Sequence, residues 1–168
     1  SKFALERFED FSAKAVKEFS SEVNLWLVIN EPEVFAFEIN LHGKSYGIFR
    51  KGISGLRTYI QLLRMHWIAY KIIKAIDPRA QVGVAKNVAY HEPFRSGHLL
   101  DRLLVWTANT FGNELFVKLI NSKLDFIGLN YYFYHSLKWS WLNIFERKNL
   151  QTIKSDMGDR TYPKGLYF

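Results

Sequence analysis

Three short, almost unbroken apolar runs, at residues 23–29, 81–85 and 124–129, each follow a stretch with helical periodicity. That alternation constrains the fold more than any other feature. A run with nearly every position apolar is a strand buried on both faces, as in a parallel sheet; half-solvated antiparallel strands alternate instead. The helices between such strands are then right-handed crossovers, and the chain is α/β. Over residues 4–19, Leu5, Phe8, Phe11, Ala15 and Phe19 recur at three- and four-residue spacing, predicting an amphipathic helix. Residues 40–55, with Gly43, Gly47, Gly52 and Gly55, read as a glycine-punctuated loop. A second helix is predicted over 56–76, with Ile60, Leu63, Trp67 and Tyr70 inward, and Asp77-Pro78 ends it. A loop at 88–98 leads into a third helix over 99–120, with Leu100, Leu103, Leu104, Thr107 and Phe111 inward. Beyond residue 130 the sequence is aromatic and lacks a clear period.

Composition narrows the function classes. With 48% hydrophobic and 17% aromatic residues among 168, the chain carries too much apolar surface for a disordered polymer. The absence of cysteine excludes a disulfide scaffold, a thiolate nucleophile and a Cys-ligated metal. No apolar run approaches the ~18 residues of a membrane span and no leader pattern opens the chain, so a soluble, cytoplasmic protein is expected. The net charge of +7 is local: Lys44, Arg50, Lys51, Arg57, Arg64, Lys71 and Lys74 lie in a stretch with no acidic residue. Arg57, Arg64 and Lys71, flanked by Tyr59, Trp67 and Tyr70, would form one helical stripe able to meet phosphates. A solvated outer helix face is the preferred reading, and no nucleic-acid or membrane partner is expected.

Two parallel architectures compete. A doubly wound nucleotide-binding sheet carries a glycine-rich phosphate turn directly after a strand. Neither G-x-G-x-x-G nor a Walker sequence occurs here. A (β/α)8 barrel instead collects polar residues at the carboxyl ends of its strands. Asn30-Glu31 after the first run, Asn87 after the second, and Asn130 with Tyr132 after the third fit that pattern. The barrel is therefore favoured.

Asn30-Glu31-Pro32 is the sharpest chemical feature. A carboxyl group emerging from a buried strand is partly desolvated, which raises its pKa and suits it to general acid work. The neighbouring amide offers both a donor and an acceptor to a hydroxylated ligand. On spacing alone, the same three residues also make an ordinary turn. Around them, Trp26-Leu27-Val28-Ile29-Asn30-Glu31-Pro32 resembles the acid/base signature of glycoside hydrolase family 1, the β-glucosidase and β-galactosidase family. Three more stretches agree in order: 82–87 with Glu92-Pro93, then Asp125-Phe126-Ile127-Gly128-Leu129-Asn130-Tyr131-Tyr132, then 155–158 with 162–167.

The resemblance implies a partial (β/α)8 TIM barrel over residues 1–168, about strands four to six of eight, from the third helix to the segment before strand seven. It implies that Glu31 is the general acid/base and that Asn30 bonds the sugar 2-hydroxyl. Asn130 and Tyr132 would line the same pocket, Tyr132 orienting the nucleophile, while Asn87 would help position Glu31. A β-linked glycoside or oligosaccharide is the implied substrate, and no metal or organic cofactor is needed. The Thr-Glu-Asn-Gly motif that carries the family's nucleophile does not occur in the sequence. The chain is therefore expected to be incomplete and inactive alone. Glu92, with His91 beside it, is a weaker candidate for the second carboxylate, since the family match puts it in a solvated loop. His42 and His66 read as surface or packing residues, and Asp125 as structural. Where the family has a Trp after Met157-Gly158, this chain has Asp159-Arg160, which alters the leaving-group side. The alternative is a non-catalytic barrel remnant, whose open sheet edges invite self-association.

Overall fold

A computed structural model describes residues 2–38, 48–140, 146–147 and 162–167. The expected elements occur in the expected order: helix α1 (Lys2–Phe19), strand β1 (Leu25–Asn30), helix α2 (Ile48–Ile76), strand β2 (Gln81–Pro93), helices α3 (Leu99–Thr107) and α4 (Leu115–Ile120), and strand β3 (Phe126–Lys138). A two-residue strand, β4 (Glu146–Arg147), runs antiparallel to the end of β3. The sheet order is β1-β2-β3-β4, and β1 pairs with β2 in parallel, from Leu25 opposite Gln81 to Asn30 opposite Ala85. The α/β class and the crossover reading follow directly. Among the described residues, no helix is long and apolar enough to cross a membrane.

The chain forms two compact units. The first comprises residues 1–86 and 116–128, and its core is two apolar clusters. Val16 of α1, Ala69 and Ile73 of α2, and Ala80 and Val82 form one, with Trp26 and Val28 packed against it. Ala36, Tyr59, Leu62, Val84, Phe116 and Ile120 form the other, joined by Ile29. Each fully buried Val, Leu, Ile or Phe side chain among them contributes about 1.5–3 kcal/mol. Asp125 is structural, as expected: it accepts the Val82 N–H at 2.9 Å and the Lys74 ammonium at 2.8 Å, tying the start of β3 to β2 and α2.

Several local expectations differ from the structure. The helix predicted from residue 56 begins at Ile48, so Gly52 and Gly55 are helical rather than in a loop. Gly55 is needed for packing: a Cβ there would lie 2.9 Å from the Ala36 carbonyl oxygen. Residues 40–47 of the predicted loop, with His42, lie outside the described residues. The inward face of α2 is Tyr59, Leu62, His66, Ala69 and Ile73, one position away from the predicted stripe; Ile60 and Trp67 are exposed. A buried polar pair of positions, Tyr59 and His66, hid that face from a purely apolar pattern. Arg57, Arg64 and Lys71 are exposed, consistent with a solvated outer face.

The second unit comprises residues 87–115 and 129–168. Here β2 runs on to Pro93 where a loop was expected. The predicted 99–120 helix contains a π-helical stretch, Ala108–Glu114, between α3 and α4. Asp101, fully buried, anchors this unit. Its carboxylate accepts the Arg95 side chain at 2.7 and 2.8 Å, the Arg95 N–H at 3.1 Å and the Trp139 N–H at 2.9 Å. The Arg95 hydrogen bonds hold the Asp101 carboxyl well below the usual carboxylate range.

Candidate active site

The end of β1 is irregular where the candidate acid sits. The β1–β2 register shifts between Leu27 and Asn30. Consecutive residues Val28 and Ile29 consequently both pack into the helix-side clusters. A bulge of this kind re-aims the residues that follow it. Asn30 emerges exposed, and Glu31 half-buried. Glu31 has a φ of 48°, in the left-handed region that non-glycine residues avoid. That conformation costs about 1–2 kcal/mol and persists only when the surroundings impose it. Two main-chain bonds do so: the Glu31 N–H donates to the Ala85 oxygen at 2.7 Å, and the Glu31 oxygen accepts from the Phe35 N–H at 3.1 Å. Pro32 between them is buried, and its ring fixes φ.

Beside Glu31 lies a buried charged pair that the sequence reading passed over. Lys86 Nζ sits 2.9 Å from Glu33 Oε2, and the two side chains are 1% and 11% exposed. Burial lowers the Lys86 ammonium from its ordinary range, against the pull of Glu33 and Glu31. Burial likewise raises Glu33, with Lys86 opposing and Glu31 adding to the rise. The Tyr59 hydroxyl is raised by burial and by Glu33. The signal was present in the sequence as a lysine closing the apolar run Val82-Gly83-Val84-Ala85.

In the second unit, Asn87 on β2 is half-buried. Asn130 and Tyr132 lie two residues apart on β3 and so share one face of that strand; Tyr132 is exposed. Glu92 is on β2, not in the solvated loop expected for it, because the strand extends to Pro93. Its Oε1 accepts the Tyr134 hydroxyl. Burial, then Glu92, pushes the Tyr134 hydroxyl up. Tyr134 belongs to an aromatic group with Tyr90 and Tyr162, ring centroids 5.1 to 5.9 Å apart. His91 stacks on His135 at 5.4 Å. Gly165 fits against Tyr131 and Tyr90 with no room for a Cβ, and the Tyr131 hydroxyl donates to the Tyr162 oxygen at 2.7 Å. The positions of Asp159-Arg160 lie outside the described residues. Among the described residues, no three His, Cys, Asp or Glu side chains are grouped to hold a metal ion.

The site thus comes as two sets. Asn30 and Glu31 are adjacent in the first unit, and Asn87, Asn130 and Tyr132 belong to the second. Only Asn30 ends its strand; Asn87 and Asn130, expected at strand ends, lie inside β2 and β3 because both strands run on past them. Carboxyl and carboxamide groups of this kind suit hydroxyl-rich ligands.

The comparisons with known proteins agree on kinship. The profile of glycosyl hydrolase family 1 matches residues 1–117. A rice protein named beta-glucosidase-like SFR2, chloroplastic, is 30% identical over 95% of this chain and 26% of its own length. The galactolipid galactosyltransferase SFR2 of Arabidopsis thaliana is 28% identical, with the same coverage. Beta-glucosidase A of Acetivibrio thermocellus is 30% identical over 95% of this chain and 43% of its own length. Among solved structures, a beta-glucosidase from Thermotoga maritima in complex with glucoimidazole superposes with a TM-score of 0.81 at 22% identity. It is matched over 99% of this chain and 44% of that one. The chain therefore spans between about a quarter and under a half of the length of these relatives, and the fold is that of a partial TIM barrel.

Proposed function

The chain belongs to glycosyl hydrolase family 1, and from that premise we propose that it is the acid/base-bearing segment of a retaining β-glycosidase acting on β-linked glucosides or galactosides. In this reading Glu31 protonates the glycosidic oxygen as the bond to the leaving group breaks, while a second carboxylate attacks the sugar carbon. Glu31 then takes a proton from water as that water displaces the enzyme-bound sugar. Asn30 bonds the 2-hydroxyl, where contacts strengthen in the transition state. Asn130 and Tyr132 line the sugar site, and Asn87 helps position Glu31. The second carboxylate must lie about 5–5.5 Å from the first. We assign it to protein outside these 168 residues.

The observation that carries this reading is Glu31 itself, held in a left-handed conformation behind a strand-end bulge. Such strain is retained where a side chain must be aimed. We place the protein in the cytoplasm; a reporter fusion found in a plastid would overturn that assignment.

A second reading is favoured by one relative, the galactolipid galactosyltransferase. The same covalent intermediate can pass its sugar to an acceptor hydroxyl instead of water. Hydrolysis of a nitrophenyl β-glucoside, with and without an added sugar acceptor, separates the two by product. The isolated chain is expected to show no turnover. With the remaining barrel restored, Glu31→Gln is expected to lower kcat by about 10²–10⁴-fold. An unchanged rate in that variant would remove Glu31 from the mechanism, and a completed barrel without turnover would favour the non-catalytic remnant.

A further inference from the structure

The turn that carries Glu31 is fastened to β2 at two consecutive residues. The first attachment is the Glu31 N–H on the Ala85 oxygen. The second is the buried ion pair of Glu33 with Lys86. Between them Pro32 is buried and cannot adjust its φ. An ion pair at this depth is a poor source of stability, since desolvating two charges offsets most of their attraction. A pair of apolar side chains would have filled the space as well. What a fixed ion pair supplies is a unique geometry, because it is satisfied at one separation and one direction. Glu33 has no reserve either: its Oε1 and the adjoining Tyr59 hydroxyl have no hydrogen-bond partner among the described residues. Among the described residues, Lys86 is the charged partner of that carboxylate, beside the support of the Glu33 main-chain N–H. Loss of the lysine would remove the tie of Glu33 to β2, and the left-handed residue two positions back would relax toward an ordinary conformation.

We infer that Glu33 and Lys86 form a positioning clamp that holds Glu31 in its left-handed turn, with Lys86 as the fixed cation of the acid's surroundings. The inference rests on the reading of Glu31 as the acid/base residue. The electrostatic pull between Lys86 and Glu31 is consistent with it.

Amide hydrogen exchange on the native chain tests the clamp without substrate. The reporters are the N–H groups of Glu31 and Phe35, which make the two bonds of the turn. The references are Ile73 and Ile120, buried in the same unit. The double variant Glu33→Met/Lys86→Met removes both charges at similar volume, and Glu33→Gln/Lys86→Gln carries the same test if the first does not fold. Exchange at Glu31 and Phe35 is expected to accelerate by more than about threefold relative to the references, and Lys86→Arg is expected to retain native protection. Acceleration below that ratio, or equal acceleration everywhere, would overturn the clamp and leave a general stabilising pair. Because no turnover is measured, a failed clamp and a failed glycosidase reading give separate results.

Discussion

At the scale of single residues, burial chemistry sets behaviour that residue type alone does not. His66, which reads as a surface or packing residue, is fully buried on α2. Its Nε2 lies 2.6 Å from the Lys123 carbonyl oxygen, which can only accept, so Nε2 carries the proton. Burial pushes this imidazole below its ordinary pKa of 6.5. The unfolded chain then binds its proton first on acidification, so stability is full above about pH 6.5 and falls as pH drops toward the folded value. A loss of up to about 1.4 kcal/mol per pH unit is expected. Urea unfolding at about pH 7.5 and 5.5 measures it, and His66→Gln, which keeps a donor toward Lys123, should flatten the difference. Glu31 shows the complementary case. Its identity and place were legible from the signature around it, whereas its φ of 48° depends on the Ala85 and Phe35 backbone groups that reach it. Lys86 and Glu33 were not legible as a pair, because nothing local brings positions 33 and 86 together.

At the scale of elements, helical periodicity placed each helix but not its buried face. The 99–120 segment reads as one continuous helix. It is interrupted by the π-helical Ala108–Glu114, and Leu103 and Phe111 are exposed while Leu104, Phe116 and Ile120 are buried. The interruption brings Asn113 to β2. Its carboxamide accepts the Ala89 N–H at 3.2 Å and donates to the Ala89 oxygen at 2.8 Å, acting as a strand neighbour would. Asn109 Oδ1 holds the same amide at 3.1 Å. Asn113→Ala is expected to destabilise by about 1–3 kcal/mol, since both Ala89 groups lose a partner. The shift in the urea midpoint measures the cost, and unprotected exchange at Ala89 locates it. A π-turn amounts to one extra residue in the helix, and only a partner such as Ala89 decides where that residue goes. Strand length escapes a local pattern for a related reason. The polar residues of 86–93 do not read as a buried run, yet β2 continues through them with Glu92 bonded to Tyr134.

At the scale of the whole molecule, the chain carries part of a barrel sheet with uncovered surface. β1 is at one end of the described sheet order. On one of its faces Leu25 and Leu27 are 61% and 56% exposed, while Trp26 and Val28 pack into the core from the other. Exposed strands of this kind pair with other chains. The isolated chain is expected to associate as its concentration rises from about 10 to 100 μM. Sedimentation velocity reads this directly, with Leu25→Lys/Leu27→Lys expected to restore the monomer; a wild-type monomer throughout would contradict it. The sequence by itself determined the element types, their order, the α/β class and the family, because periodicity and short signatures are local properties carried by consecutive side chains. Only the tertiary structure decided which helix face is buried, where β1 bulges, how Glu31 is turned and that Lys86 answers Glu33. Those outcomes depend on backbone and charged groups from distant segments meeting within hydrogen-bond range, and no pattern along one segment records which distant group will be there.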